Sequence, residues 1–229
     1  MNKLESSPGN IKRLTLSGLK AILSTLPVAS AFTTFVDEYI NSNWQDRIEK
    51  TQTEILNRLS KLDEKFEERL RNNPNIASIL ATIYQSALSD IEEDKIALYV
   101  NSLVNAINNE NIGNTKLHIF INYLKEISLM HIKILKYFKS NHSEESSIPL
   151  NSLGMPSREE VIARVIGQTE PSIVEDLDLL DSIIGDLNRK GLLRITKLAE
   201  LHGNISKVIM KQTTPLGDEF INFFQNNEN

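Results

Sequence analysis

The sequence predicts a mainly α-helical protein in two parts: a helical bundle with one long helix over residues 1–127, then a smaller helical domain with a β-hairpin over residues 128–229. Three observations predict it. Apolar residues recur at spacings of three and four along most of the chain, the period of a helix that buries one face. Only 9 Gly and 7 Pro occur in 229 residues, too few for a turn-dense β protein. Only two short runs, both late in the chain, are β-prone. A hydrophobic content of 40% is enough for a core, and the length allows one large domain or two small ones.

The elements follow in order. Ile11 to Leu26 reads as one helix, broken at Pro27. From Val28 a second helical pattern runs to about Arg71 with no Pro or Gly between. Its later part carries a heptad-like seam of Ile48, Ile55, Leu59, Leu62, Phe66 and Leu70. Gln52 and Arg69 interrupt that seam, and Asp46–Lys50, Glu54–Arg58 and Glu67–Arg71 are acid-before-base pairs that support the helix. Two uses stay open for it: a long helix packed on its own domain, or a coiled coil between copies. Asn73-Pro74 ends this helix and opens the next, whose inner face is Ile76, Ile79, Leu80, Ile83 and Ala87. Ser89-Asp90-Ile91-Glu92 has the capping-box pattern and predicts another helix, lined by Ile96, Tyr99, Val100, Leu103, Val104 and Ile107. Asn114 is the expected cap of a fifth, with Leu117, Phe120, Ile121 and Leu124 inside.

After Ser128 the character changes. Leu129 to Phe138 is a short helix, followed by a loop rich in Ser, Asn, Gly and Pro up to Pro156. Ser157 caps a helix, and Thr169-Glu170-Pro171 starts one whose inner face includes Ile173, Leu177, Leu180, Ile184 and Leu187, stopping at Lys190-Gly191. Leu192 to Thr196 and Ile205 to Met210 are the β-prone runs, with His202-Gly203-Asn204 as the turn. Thr214-Pro215-Leu216-Gly217 opens a last amphipathic helix carrying Phe220, Phe223 and Phe224. Gly185, inside a helix at a cost of about 1 kcal/mol relative to Ala, suggests close packing on another helix. Trp44 suggests packing between helices.

Three helices, a hairpin and a closing helix, in that order, resemble a winged helix-turn-helix domain. Leu187-x-x-x-Gly191-Leu192-Leu193 and Thr214-Pro215-Leu216-Gly217-x-x-Phe220 carry the resemblance, which covers about Ser128 to Phe224. The whole layout is also similar to that of bacterial abortive-infection alpha proteins, which place an apolar N-terminal segment and a helical middle before a winged-helix-like end. The matching stretch is Asn75 to Phe138, with Ile91-Glu92-Glu93-Asp94-Lys95, Tyr99-Val100-Asn101-Ser102-Leu103 and Leu129-Met130-His131-Ile132-Lys133-Ile134-Leu135. That resemblance implies a role in phage defence or growth arrest and carries over no catalytic residues.

Charge argues against nucleic acid. The net charge is −5, and the expected third helix of the second domain carries Glu170, Glu175, Asp176, Asp178, Asp181 and Asp186 before Arg189 and Lys190. Carboxylates facing phosphate repel it. If nucleic acid is bound, the wing would do it through Arg194, Lys197, Lys207 and Lys211, aided by Lys133, Lys136 and Lys139. Chemistry is sparse. No cysteine excludes disulfides, zinc-thiolate sites and thiol catalysis. His118, His131, His142 and His202 have no helical metal spacing. The first two read as core or boundary residues and the others as solvated. The Glu175–Asp181 acids complement a helix dipole better than they hold a cation, since residues 176 and 178 point about 200° apart on a helix. Glu92-Glu93-Asp94 reads the same way. No catalytic, cofactor or metal residues are therefore expected.

The leading expectation is a non-enzymatic cytoplasmic interaction protein that docks a protein partner or a second copy. A DNA-binding regulator and a membrane-acting effector are the rivals. The membrane segment would comprise Leu14, Leu16, Leu19, Ile22, Leu23, Leu26, Phe32, Phe35 and Val36. Its uncharged stretch from Ala21 to Val36 is shorter than the roughly 20 residues a spanning helix needs, and its other reading is a buried helical hairpin. The N-terminus has no apolar run after a basic start, so no secretory signal is expected. If the effector reading holds, deleting 14–36 abolishes leakage from anionic liposomes; equal leakage with and without the segment ends it.

Overall fold

The structure is a computed structural model that describes residues 42–59, 74–90, 92–108, 113–140, 176–201 and 211–225. Among these the protein is mainly helical, with seven α-helices and no extended strand. The chain divides into two compact units, Met1–Asn109 and Glu110–Asn229. The helix at 114–126, grouped with the first part by the sequence reading, thus falls in the second unit.

In the first unit α1 (Ser42–Leu59), α2 (Pro74–Ser89) and α3 (Ile96–Asn108) pack on one another, with a 3-10 turn (Glu93–Lys95) leading into α3. Each buries the stripe its spacing demands. Ile79, Leu80, Ile83 and Ala87 of α2 are buried, as are Ile96, Tyr99, Val100, Leu103 and Ile107 of α3; Val104 is only half-buried. On α1 the buried side is Thr51, Gln52 and Ile55. Gln52, which looked like a break in the apolar seam, ties the bundle together: its amide donates to the Tyr84 hydroxyl at 3.0 Å. Burial pushes the Tyr84 hydroxyl above its usual range, opposed by that bond. The buried hydroxyls of Ser86 and Ser102 donate to the carbonyls four residues back, at 2.7 and 2.8 Å. The predicted capping box at Ser89–Glu92 does not form. Asp90 takes its place, accepting the Glu92 N–H at 3.0 Å, while Ser89 turns back to the Ser86 carbonyl.

The second unit holds α4 (Asn114–Glu126), α5 (Leu129–Lys139), α6 (Leu177–Arg189), a 3-10 turn (Leu198–Leu201) and α7 (Pro215–Phe224). Gly113, not Asn114, stands at the N-cap of α4, and Asn114 is its first helical residue. Leu117, Phe120, Ile121 and Leu124 are buried as expected. Helix α5 packs against both α6 and α7. An aromatic cluster joins α4 to α7: Phe120 lies 5.3 Å from Phe220 and 5.5 Å from Phe223, and Tyr123 meets Phe220 edge-on at 5.9 Å. Helix α6 begins later than Thr169-Glu170-Pro171 suggested. Asp176 is its N-cap, in non-helical backbone, and accepts the Leu179 N–H at 2.9 Å.

The end of α6 and the start of α7 interlock. Gly191 takes φ +72°, which glycine adopts without the strain a side chain would bring, and closes α6 with Gly191 N–H on Asn188 O at 2.7 Å and Leu192 N–H on Leu187 O at 2.9 Å. The turned chain then meets the segment before α7. Thr214 N–H donates to Leu192 O at 3.1 Å, Thr214 Oγ1 donates to Gly191 O at 2.5 Å, and the same oxygen caps α7 by accepting the Gly217 N–H at 3.0 Å. Leu193 and Thr213 form one antiparallel bridge, flanked by Arg194 N–H on Gln212 O at 2.9 Å. Of the two β-prone runs, only Leu193 in the first has a described ladder partner, and that partner lies after the second run. The first run leads instead into the 3-10 turn at Leu198–Leu201, and 202–210 lies outside the described residues.

Gly217 lies flat against the Leu192 carbonyl: a Cβ there would sit 3.1 Å from Leu192 C and well inside contact with Leu192 O. Gly185, expected to face another helix, has among the described residues Arg189 Nη1 at 3.5 Å and Thr196 O at 3.7 Å near its Cβ position, which is ordinary contact. Gly217→Ala should therefore lower stability by about 1–3 kcal/mol, because backbone opposes the methyl. Gly185→Ala should be neutral or stabilising by up to about 1 kcal/mol. Urea unfolding followed by circular dichroism measures both, and equal effects would contradict the interlock.

Candidate functional site

The expected wing contacts are built on the interlock. Arg194 and Lys197 are exposed beside it, and neither makes an ion pair among the described residues. Lys211 behaves differently. Its ammonium pairs with Asp218 in the first turn of α7, and Thr213 Oγ1 donates to the other oxygen of that carboxylate at 2.6 Å. Burial alone would raise the Asp218 pKa, but the Lys211 and Thr213 bonds and the charges of Lys211 and Lys139 outweigh it and hold the carboxyl below its usual range. Lys207 lies outside the described residues.

The supporting lysines of α5 are also engaged. Lys136 Nζ stands 5.5 Å over the Phe224 ring. Desolvation and the charge of Lys139 lower its pKa. Lys139 donates to Asn222 at 2.8 Å and to Gln225 at 3.2 Å. Arg189 pairs with Asp186, and Lys190 with Glu126 while lying 5.1 Å over the Tyr123 ring. None of these pairings is visible as a motif, since all but Arg189–Asp186 and Lys211–Asp218 join residues far apart in sequence.

The carboxylates of α6 are partly structural. Asp176 caps the helix, and Asp181 Oδ1 accepts the Leu198 N–H at 2.7 Å, fastening the 3-10 turn to α6. Asp178 is exposed, and beside it Leu179 is 47% exposed. Of the six expected acids, Asp176, Asp181 and Asp186 therefore have partners within the unit, and Asp176 and Asp178 are exposed; Glu170 and Glu175 lie outside the described residues.

His131 has a role that its position on an apolar helix did not announce. It is the third residue of α5 and forms a capping box with Ser128: the ring Nδ1 accepts the Ser128 N–H at 3.2 Å, and Ser128 Oγ accepts the His131 N–H at 3.5 Å. Its Nε2 faces Asp186 Oδ2 at 3.6 Å. The S-x-x-H spacing is the only local signal for it, and a weak one, because a capping box usually ends in Glu or Gln. His118 is exposed on α4. His142 and His202 lie outside the described residues.

Among the described residues of the first unit there is a buried charge cluster. Lys95 is 1% exposed. Its Nζ lies 2.6 Å from Asp90 Oδ2 and 5.7 Å from the centre of the Tyr99 ring, and the Tyr99 hydroxyl donates to the same oxygen at 2.7 Å. Asp90 thus joins the turn after α2 to the 3-10 turn, through Lys95, and to the first turn of α3, through Tyr99. Burial would raise its pKa, but the bonds from Lys95, Tyr99 and the Glu92 amide, with the Lys95 charge, bring it below the usual value of 3.8. Glu93 and Asp94 of the expected first-turn acid cluster are exposed, and the lysine that follows them, Lys95, is buried.

Of the candidate oligomer seam, Ile55 is fully buried within the chain. Ile48 and Leu59 belong to α1 but their side chains are outside the described set, as is that of Trp44; Leu62, Phe66 and Leu70 lie outside it altogether. So do all the candidate membrane residues from Leu14 to Val36. Among the described residues no helix is long and apolar enough to cross a membrane, and no group of three or more His, Asp or Glu is placed to hold a metal. Compared with protein-family models, curated proteins and solved structures, the chain matches none.

Removing one partner of a buried pair strands the other, so Asp90→Asn should destabilise the first unit by about 3–5 kcal/mol. Asp90→Asn with Lys95→Met should recover most of that loss. The folded pKa of Asp90 is depressed, so its contribution is present above the unfolded value and is lost as pH falls through the lower folded one. Below about pH 4 the stability gap between wild type and Asp90→Asn should therefore narrow. A gap independent of pH, measured by urea unfolding, would contradict this assignment.

Proposed function

We propose that the chain acts by protein–protein docking, and that its second unit is a winged-helix-like domain whose α6 face meets protein, not nucleic acid. The order α5, α6, Leu193–Thr213 bridge and α7, with α5 packed on both α6 and α7, supports the winged-helix reading. The observation that carries the docking reading is where the cations go. Phosphate binding draws its affinity from Lys and Arg free to displace counterions. Here Lys190 and Lys211 are paired with carboxylates, Lys136 lies on an aromatic face, and Lys139 is bonded to amides. The helix that would enter a groove instead offers Asp176, Asp178 and the exposed Leu179. That combination suits a polypeptide surface better than a phosphate track.

A second copy of the chain is the partner this reading favours, in a cytoplasmic, non-enzymatic assembly. The layout resemblance to abortive-infection alpha proteins suggests phage defence or growth arrest as its setting. The reading predicts a solution mass above the 25.9 kDa of one chain at micromolar concentration by light scattering, with Leu179→Asp shifting it toward the monomer. It also predicts no change in anisotropy of labelled duplex DNA at low salt. A strictly monomeric chain, or salt-dependent DNA binding lost in Arg194→Glu with Lys197→Glu, would overturn it.

A further inference from the structure

We draw no further inference here: the strongest candidate, the Ser128–His131–Asp186 side-chain cluster where α5 meets α6, is fully used in capping α5, its ring Nδ1 already accepting the Ser128 amide, and nothing in the structure points to a ligand beside it.

Discussion

The second unit depends on one close approach, that of the Gly217 backbone to the Leu192 carbonyl. Only a residue without a Cβ allows it. Once made, it lets one carbonyl and one hydroxyl serve three purposes: Leu192 O accepts Thr214 N–H, and Thr214 Oγ1 both reaches Gly191 O and caps α7. Each such bond contributes only about 0.5–1.5 kcal/mol net. Their larger effect is geometric. They fix where α7 starts, and so where Phe220, Phe223 and Phe224 enter the core against Phe120. Gln212 N–H, bonded to Phe138 O at 2.9 Å, fastens the same strand-like segment to the end of α5.

Charge follows from this geometry. With α7 set by Thr214, Asp218 faces Lys211, and Lys139 lies close enough to act on the same carboxylate. With α6 closed by Gly191, Lys190 reaches Glu126. Lys190 and Lys211 are thus drawn into the unit's own contacts, while Asp176 caps α6 and Asp181 holds the Leu198 turn. The net effect is two exposed cations, Arg194 and Lys197, near a helix whose exposed residues include Asp176 and Asp178; the proposed docking role rests on that balance.

Periodicity made the helices legible. The inner faces of α4 and α7, and most of those of α2 and α3, were readable because burial repeats every three or four positions; Val104 is the exception on α3. Local capping was only partly readable. Thr214 and Gly191 announced themselves, whereas Asp176 rather than Thr169 caps α6, Asp90 rather than Ser89 accepts the Glu92 N–H, and His131 completes the Ser128 box where Glu or Gln is usual. The two glycine motifs were visible as a frame, but their contact was not, since it joins positions more than twenty residues apart. The same holds for the buried Lys95, which sits in a run of acids that reads as solvated. The sequence was likewise silent on the partner of Lys211, because an ion pair is a property of the fold.

If the interlock governs the second unit, its amides should open only with the whole. Native-state hydrogen exchange resolves this directly at Gln212 and Thr214, whose N–H groups are held by Phe138 and Leu192. The account predicts that these amides exchange with the same opening free energy as the core amides of α5 and α7. Exchange of Gln212 and Thr214 through a lower-energy opening, with α5 and α7 still protected, would contradict it.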